Sequence, residues 1–392
     1  MNAIFRAVGA RARSATLVLV AVGLAACGGV QLVNPNGPGL AVGQPVQVAL
    51  LVPSGSGQAG DETLAISLEN AARLAISDLS GVEVDLQVYQ TAGDPERAAS
   101  AAAEAVGSGA TIILGPVYAA SANAVGSVVA ARGVNVLSFS NNTDIAGGNV
   151  FVLGNTFENT ASRLVSYARA QGRSQVTIAY GQDTAETKGR DAIATSLALA
   201  GATFAGETSF ELSQSGVVQA ATEVRETVNN SGSNAIFFTS GTAGALPILS
   251  QLLIENGLDR EAVQFIGLQR WDIPPSALEL PGLQGGWFAV PSPGLAEQFS
   301  ARYQAAYGQP PHPIAGLAYD GIAAIGALVS AGTPDALSAA SLTQPTGFAG
   351  VNGAFRLLPN GTNERGLAVA TIIDQQVSIL DPAPRSFTGP GF

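Results

Sequence analysis

Histidine and cysteine are almost missing from this chain, with one of each among 392 residues, His312 and Cys27. Nucleophilic arrangements that rely on an imidazole base therefore have a single candidate. His312 lies between Pro311 and Pro313, a setting that predicts a turn-capping side chain rather than a base. Standard zinc sites need several such ligands, so none is expected, and one cysteine permits no intrachain disulfide. Stability must come from packing, and a 47% hydrophobic content supplies the material. Positive charge is also scarce: 18 Lys and Arg against 29 Asp and Glu give a net charge of −11. Such a chain does not attract polyphosphate, which excludes nucleic acid as a partner. No carboxylate pair of the glycoside-cleaving kind stands out. The chain thus reads as a non-enzymatic protein without a cofactor or a metal.

Long apolar runs are absent too, since beyond the first 27 residues none reaches the ~18 needed to span a bilayer. At the N-terminus Arg6, Arg11 and Arg13 precede an apolar run from Ala15 to Ala26 that is too short to span. Residues 1–26 therefore read as a signal peptide. The run ends Leu24-Ala25-Ala26-Cys27, which resembles the lipobox where bacterial lipoproteins are cut and acylated, and assigns Cys27 as the lipidation site. Each buried CH₂ of an acyl chain contributes about 0.8 kcal/mol, and more than one chain suffices for stable anchoring. The expected mature protein has 366 residues and a formal charge near −14. It is expected on a membrane, facing the periplasm. Gly28 stands where an Asp would follow the cysteine of a retained lipoprotein, so by resemblance to enterobacterial lipoproteins the outer membrane is the expected location.

A length of 366 exceeds the roughly 250–300 residues at which one core stops growing, which predicts two lobes. Residues 27–46, with Asn34-Pro35-Asn36-Gly37-Pro38-Gly39, read as lipidated cysteine and flexible tether, and 381–392 as a loose tail. Between them short apolar runs alternate with Ala-rich helical stretches, the pattern of an α/β fold with doubly wound, mostly parallel sheets. The first series has strands at Val46–Val52, Val82–Tyr89, Thr111–Leu114 and Val134–Phe139. Its helices carry Leu64, Leu68, Ala71, Ala72 and Ala75, then Pro95–Val106, then Ser121–Ala131. After a connector at Val152–Asn159 a second series follows, with a helix to Ala170, strands at Val176–Tyr180, Thr203–Phe210, Ala235–Thr239 and Gln264–Gly267, and helices at Gly189–Ala200, Val217–Val228 and up to Asn256. Helices at Phe299–Tyr307 and Tyr319–Ser330 and strands at Ala354–Leu357 and Ala368–Asp374 close the chain.

Gly55-Ser56-Gly57-Gln58-Ala59-Gly60 is a GxGxxG between a strand and a helix, the context of a dinucleotide fingerprint. The acid expected at the end of the second strand is missing, because Tyr89-Gln90-Thr91 occupies that place. An exported protein also has poor access to dinucleotides. The remaining reading is a glycine-loosened loop whose helix start offers amide donors to a small anion or carboxylate.

Three segments carry a resemblance over roughly residues 47–375: Ala49-Leu50-Leu51-Val52-Pro53-Ser54-Gly55, Ile113-Leu114-Gly115-Pro116-Val117-Tyr118 and Val136-Leu137-Ser138-Phe139-Ser140-Asn141-Asn142. With Ala318-Tyr319-Asp320, they are similar to the type I periplasmic binding fold of the leucine/isoleucine/valine-binding proteins, and within it to the penicillin-binding protein activator lipoproteins. The resemblance implies two Rossmann-like lobes joined by three crossovers, near residues 155, 290 and 349. The first lobe would comprise 47–157 and 290–348, the second 158–289 and 349–380. It implies a ligand cleft at strand C-terminal ends, edged by Ser54, Gly55, Tyr118, Ala119, Ser121, Ser140, Asn141 and Asn142 on the first lobe. On the second it implies Tyr180, Gln182, Ser240, Thr242, Gln269 and Arg270. Gln269 stands where amino-acid-binding relatives place an acid against the ligand ammonium, and an amide cannot neutralise that charge. Arg270 and Trp271 could instead serve an anionic or sugar-like group. The helical-repeat domain that precedes the fold in well-known activators is replaced here by about twenty tether residues. The implied function is a lipoprotein that modulates a peptidoglycan synthase by contact, with a small-molecule ligand as a possible partner. The alternative is the solute-binding lipoprotein of an ABC importer for an amino acid or similar small solute.

Overall fold

A computed structural model describes residues 39–40 and 43–387. The signal peptide, Cys27 and most of the tether lie outside the described residues, as do residues 388–392 of the tail.

Strand β1 (Val46–Val52) is an apolar run with one polar interruption and is buried almost throughout, as a parallel strand covered by helices on both faces must be. It forms a fully parallel sheet with β2 (Val84–Gln90), β3 (Ile112–Leu114), β4 (Asn135–Ser138) and β5 (Val150–Val152), in the order β2-β1-β3-β4-β5. Helices α1 (Ala59–Asp78), α2 (Pro95–Gly107) and α3 (Ala119–Val129) make the crossovers. Helix α1 buries Leu64, Leu68, Ala71, Ala72 and Ala75 along one stripe. A fully buried leucine such as Leu68 contributes about 1.5–3 kcal/mol. Helix α2 starts where Asp94 accepts a hydrogen bond from the Arg97 N–H at 2.8 Å, with Pro95 in its first turn.

The second lobe runs α4 (Phe157–Ala170), β6 (Gln175–Gly181), α5 (Thr184–Ala200), β7 (Thr203–Phe210), α6 (Gln214–Ser231), β8 (Ala235–Phe238), α7 (Leu246–Glu255), β9 (Gln264–Gly267) and β10 (Trp287–Val290). Its sheet has the order β15-β14-β10-β9-β8-β6-β7. The strands from β7 to β10 are parallel, and β14 (Ala368–Ile373) and β15 (Gln376–Asp381) are antiparallel additions at one edge. Between β10 and β14 the chain returns to the first lobe as α8 (Pro293–Tyr307), α9 (Gly316–Val329), α10 (Ala339–Leu342) and a small sheet of β11 (Phe348–Gly350), β12 (Gly353–Leu357) and β13 (Asn363–Arg365). Phe299, Tyr303, Ile322 and Ile325 of α8 and α9 share one core with Leu50 and Leu68. This is a two-lobed α/β architecture with mostly parallel sheets, as the resemblance implies.

The first two crossings fall at 153–156 and 291–292. The third differs from expectation. Phe348, Phe355 and Leu357 pack into the first lobe's core, whereas Leu367 and Val369 belong to the second. The chain therefore crosses at Gly366–Leu367 rather than near 349, because the apolar face of the β11–β13 sheet is covered by the first lobe. A buried ion pair fixes this crossing. The Arg365 guanidinium donates to Asp320 Oδ2 at 3.0 Å and to the Leu153 carbonyl, and Asp320 also accepts from Val351 N–H and the Asn352 amide. One carboxylate of α9 thus ties the first and third crossings together.

The tail differs from expectation as well. Up to residue 387 it is docked: Arg163 of α4 donates to Asp381 and to the Pro382 carbonyl. Phe387, 8% exposed, lies under the Arg356 guanidinium at 4.7 Å. Of the tether, Leu40 donates its N–H to Pro334 O at 3.0 Å. Among the described residues no helix is long and apolar enough to cross a membrane.

Candidate functional site

The carboxyl ends of the two parallel sheets carry the residues singled out from the sequence. On the first lobe Tyr118, 40% exposed, stands at the start of α3 and donates its hydroxyl to Asp61 Oδ1 of α1 at 2.5 Å. That bond, and then burial, raise the tyrosine's pKa above its ordinary 10.0. Its ring rests on Gly93, which has φ +68° and where a Cβ would come within 3.1 Å of Tyr118 Cε2. A side chain at 93 would push the ring away. Beside it, Ser140 Oγ accepts from Asn142 N–H at 3.1 Å, and Asn142 Oδ1 accepts from Asp144 N–H at 3.0 Å. These short polar side chains shape their own loop, while Asn141 projects to solvent.

Two first-lobe expectations change. Ser121 is fully buried with its hydroxyl near the Gly93 carbonyl, so it faces the lobe interior, not the cleft. The GxGxxG loop already holds a carboxylate, because Gly55 N–H donates to Glu62 Oε1 of the following helix at 2.6 Å and Gln58 N–H donates to Ser56 Oγ. Two of the amide donors expected to meet an external anion are thus occupied from within. Ser54 keeps its place at the end of β1, with its carbonyl accepting from Ala92 N–H, and Ala119 sits half-buried at the start of α3.

The second lobe presents a cavity of about 740 Å³ between the starts of α5, α6 and α7. Thr242, Gln269 and Arg270 line it, as do Asp183 and Glu186, with Leu212, Ile248 and Ile273 as apolar walls. Thr242 donates to the Ile273 carbonyl at 2.5 Å. Gln269 donates its amide to the Thr239 carbonyl at 2.9 Å, which leaves its oxygen for other partners. Arg270 is neutralised by a two-point contact with Asp272, at 2.9 and 2.5 Å, so it presents little free positive charge. Trp271 is fully buried, stacked on Phe288 and pressed so closely to Gly267 that a Cβ there would overlap its indole. It is core, not a ligand platform. Tyr180 packs its ring beneath Arg190 against the second-lobe core, and Gln182 bonds Ser209; neither lines the cavity.

Glu186 is the residue that sequence reasoning missed. It is 8% exposed, and its carboxylate accepts from Gly181 N–H at 2.5 Å, Thr239 Oγ1 at 2.8 Å and Ser240 Oγ at 2.6 Å. All three donors are neutral, and among the described residues no cation pairs with it. Ser240, expected at the cleft edge, is instead buried as one of the groups orienting this acid. A signal was present: Asp183-Thr184-Ala185-Glu186 has the spacing of a capping box. Asp183 indeed caps α5 by accepting from Glu186 N–H at 2.7 Å.

His312 caps a turn as expected, its Nδ1 accepting from Ile314 N–H at 3.4 Å, and burial lowers its pKa below 6.5. Among the described residues no group of His, Cys, Asp and Glu could hold a metal ion.

Residues 45–376 match the family described as periplasmic binding protein. No curated protein sequence matches the chain. Among solved structures, it resembles a branched-chain amino acid ABC transporter protein of Rhodospirillum rubrum, with a TM-score of 0.73 at 18% identity over 86% of this chain and 99% of the other. An ABC transporter substrate-binding protein of Desulfitobacterium hafniense in complex with Leu gives 0.64 at 19% identity over 86% and 100%. A solute-binding protein of Rhodopseudomonas palustris BisB5 in complex with 3,4-dihydroxybenzoic acid gives 0.60 at 16% over 87% and 98%.

Proposed function

From the premise that the chain belongs to the periplasmic binding proteins, a non-enzymatic family, we propose that it receives a small amino-acid-like solute for an ABC importer. One observation carries the reading: a buried carboxylate, Glu186, lines an accessible cavity and has no cation partner among the described residues. A charge removed from water is costly unless it is paired, and a ligand ammonium is the counter-charge such a wall fits. Arg270, held by Asp272, does not compete for it. The apolar walls at Leu212, Ile248 and Ile273 suit an aliphatic or aromatic side chain. Glu186 thus stands in for the acid that Gln269 does not supply, from a different element of the same lobe. From the first lobe, Ser54, Tyr118, Asn141 and Asn142 contribute the polar contacts. Cys27 carries the lipid and holds the protein at the outer membrane, facing the periplasm; incorporation of labelled fatty acid that disappears in Cys27→Ser tests this.

A thermal-shift screen against amino acids, small anions and muropeptide fragments tests the proposal, since a ligand at 100 times its Kd stabilises by about 2.7 kcal/mol. A shift with a free amino acid is the expected result. A shift confined to wall fragments, with β-lactam sensitivity raised on deletion, would favour the second reading, modulation of a peptidoglycan synthase. That reading rests on the resemblance at Ile113–Tyr118 and Val136–Asn142, and on the amide at Gln269, turned toward its own lobe.

A further inference from the structure

Lysine occurs once in the 392 residues, at Lys188, and we infer that its ion pair with Asp144 is a clasp between the lobes that sets how far the cleft opens. Lys188 Nζ lies 2.5 Å from Asp144 Oδ2. Lys188 belongs to α5 of the second lobe, and Asp144 to the turn that follows β4 of the first. Among the described residues, no other ion pair joins the sheet-and-helix body of one lobe to that of the other. Arg190 pairs with Asp191 and Glu207, and Arg270 with Asp272, all within the second lobe.

Both ends of the clasp are fixed in the structures that shape the cleft. Asp144 is held by the Asn142 cap at 3.0 Å and by the turn in which Ala146 N–H donates to Thr143 O at 3.1 Å. Its neighbour Thr143 makes a second contact across the lobes, donating to Glu158 Oε1 of α4 at 3.1 Å. On the other side, α5 is capped by Asp183. It is seated at Gly189, where a Cβ would come within 2.6 Å of Leu268 Cδ2. Glu186 and Lys188 share the first turns of one helix, and Asn142 and Asp144 share one loop. Any movement of the cavity wall relative to the first lobe's polar loop therefore stretches or relaxes this bond.

The side chains are 42% and 61% exposed, so the clasp is weak and screened by salt. An exposed pair of this kind changes the ratio of closed to open lobes by about 1.5- to 5-fold. A ligand that needs the closed form feels the same factor in its affinity. That link to affinity rests on the solute-binding reading, whereas the clasp itself rests on geometry alone.

The test uses the full chain carrying Cys27→Ser, with spin labels on Ala103→Cys of the first lobe and Gln219→Cys of the second, both exposed. Pulsed dipolar spectroscopy then reads the distance between lobes without ligand. Lys188→Gln and Asp144→Asn are each expected to raise the open-to-closed ratio by about 1.5- to 5-fold at low salt. The exchange of Lys188→Asp with Asp144→Lys is expected to restore the original ratio. Added salt at 0.5 M should move the unaltered pair toward the Lys188→Gln distribution and leave Lys188→Gln in place. Superimposable distributions for the unaltered pair and both single variants, or an exchange that fails to restore, would overturn the clasp. The two readings fail separately: a protein that binds no solute yet shows the distance shifts refutes only the solute reading, and one that binds without them refutes only the clasp.

Discussion

The strand ends of the two lobes are built from the same secondary structure but carry different chemistry. On the first lobe the strand ends carry hydroxyls and amides that mostly bond their own loop, as Ser140 does with Asn142 and Asn142 with Asp144. Of its acids, Asp61 is taken by the Tyr118 hydroxyl, Glu62 by the Gly55 N–H and Asp144 by Lys188. The second lobe holds a carboxylate that no cation pairs with among the described residues, an arginine neutralised by its neighbour, and apolar side chains around a cavity. Neutral polar loops preform a shape and accept many ligands, whereas an uncompensated buried charge selects one sign of ligand charge. On the solute-binding reading, the first lobe positions a ligand and the second discriminates by charge.

The largest effect is expected where the frame that joins the lobes is cut. Asp320→Ala leaves Arg365 charged and buried at the third crossing, and should cost about 3–5 kcal/mol in denaturant unfolding. A loss below about 1 kcal/mol would show that the crossings do not depend on the pair. Next in size, Glu186→Gln should weaken an amine-bearing ligand by about 1.5–3 kcal/mol, the range for bonds to charged groups, while Ser140→Ala on the opposite wall should cost about 1 kcal/mol or less. Equal losses by titration calorimetry would erase the division of labour. Tyr118→Phe removes one hydrogen bond and should lower stability by about 0.5–1.5 kcal/mol. Its pH dependence has a definite sign. The pKa of Tyr118 is raised above 10.0, so its contribution is complete below that value and is lost as pH rises through the folded-state pKa. The phenylalanine variant should show a shallower alkaline limb. Smallest is Asp78→Asn, away from both walls. Burial pushes the Asp78 carboxyl up, but hydrogen bonds from Arg302 and Tyr319 together bring it below 3.8. Its contribution is present above 3.8 and lost as pH falls through the folded-state value, so the variant should flatten the acid limb.

The alternation of strands and helices was legible because each element carries its own apolar period. Thr203–Phe210 and Gln264–Gly267 run as expected, and α2 begins at Pro95. The short strands β5, β11 and β13, of three residues each, have no room for a period. The edge strand β15 is mostly exposed and shows no buried face. The most instructive difference is α5. Its apolar stripe predicts a start at Gly189, but the helix begins at Thr184 under the Asp183 cap. The polar first turns hidden from an apolar-period reading contain both Glu186 and Lys188. The candidate site was legible as a set of loops but not as a charge arrangement, since Glu186 is brought to Thr239 and Ser240 by folding across more than fifty residues. Trp271 follows a polar loop and Ser121 lies in the first turn of α3, yet both side chains turn inward.

Titration calorimetry of the protein and its Glu186→Gln variant against free amino acids decides whether the second-lobe cavity binds a small amine-bearing solute through Glu186. One-to-one binding to at least one of them is expected, weakened tenfold or more in the variant, about 1.4 kcal/mol. The absence of binding to every amino acid, or an affinity that Glu186→Gln leaves unchanged, would contradict binding through Glu186.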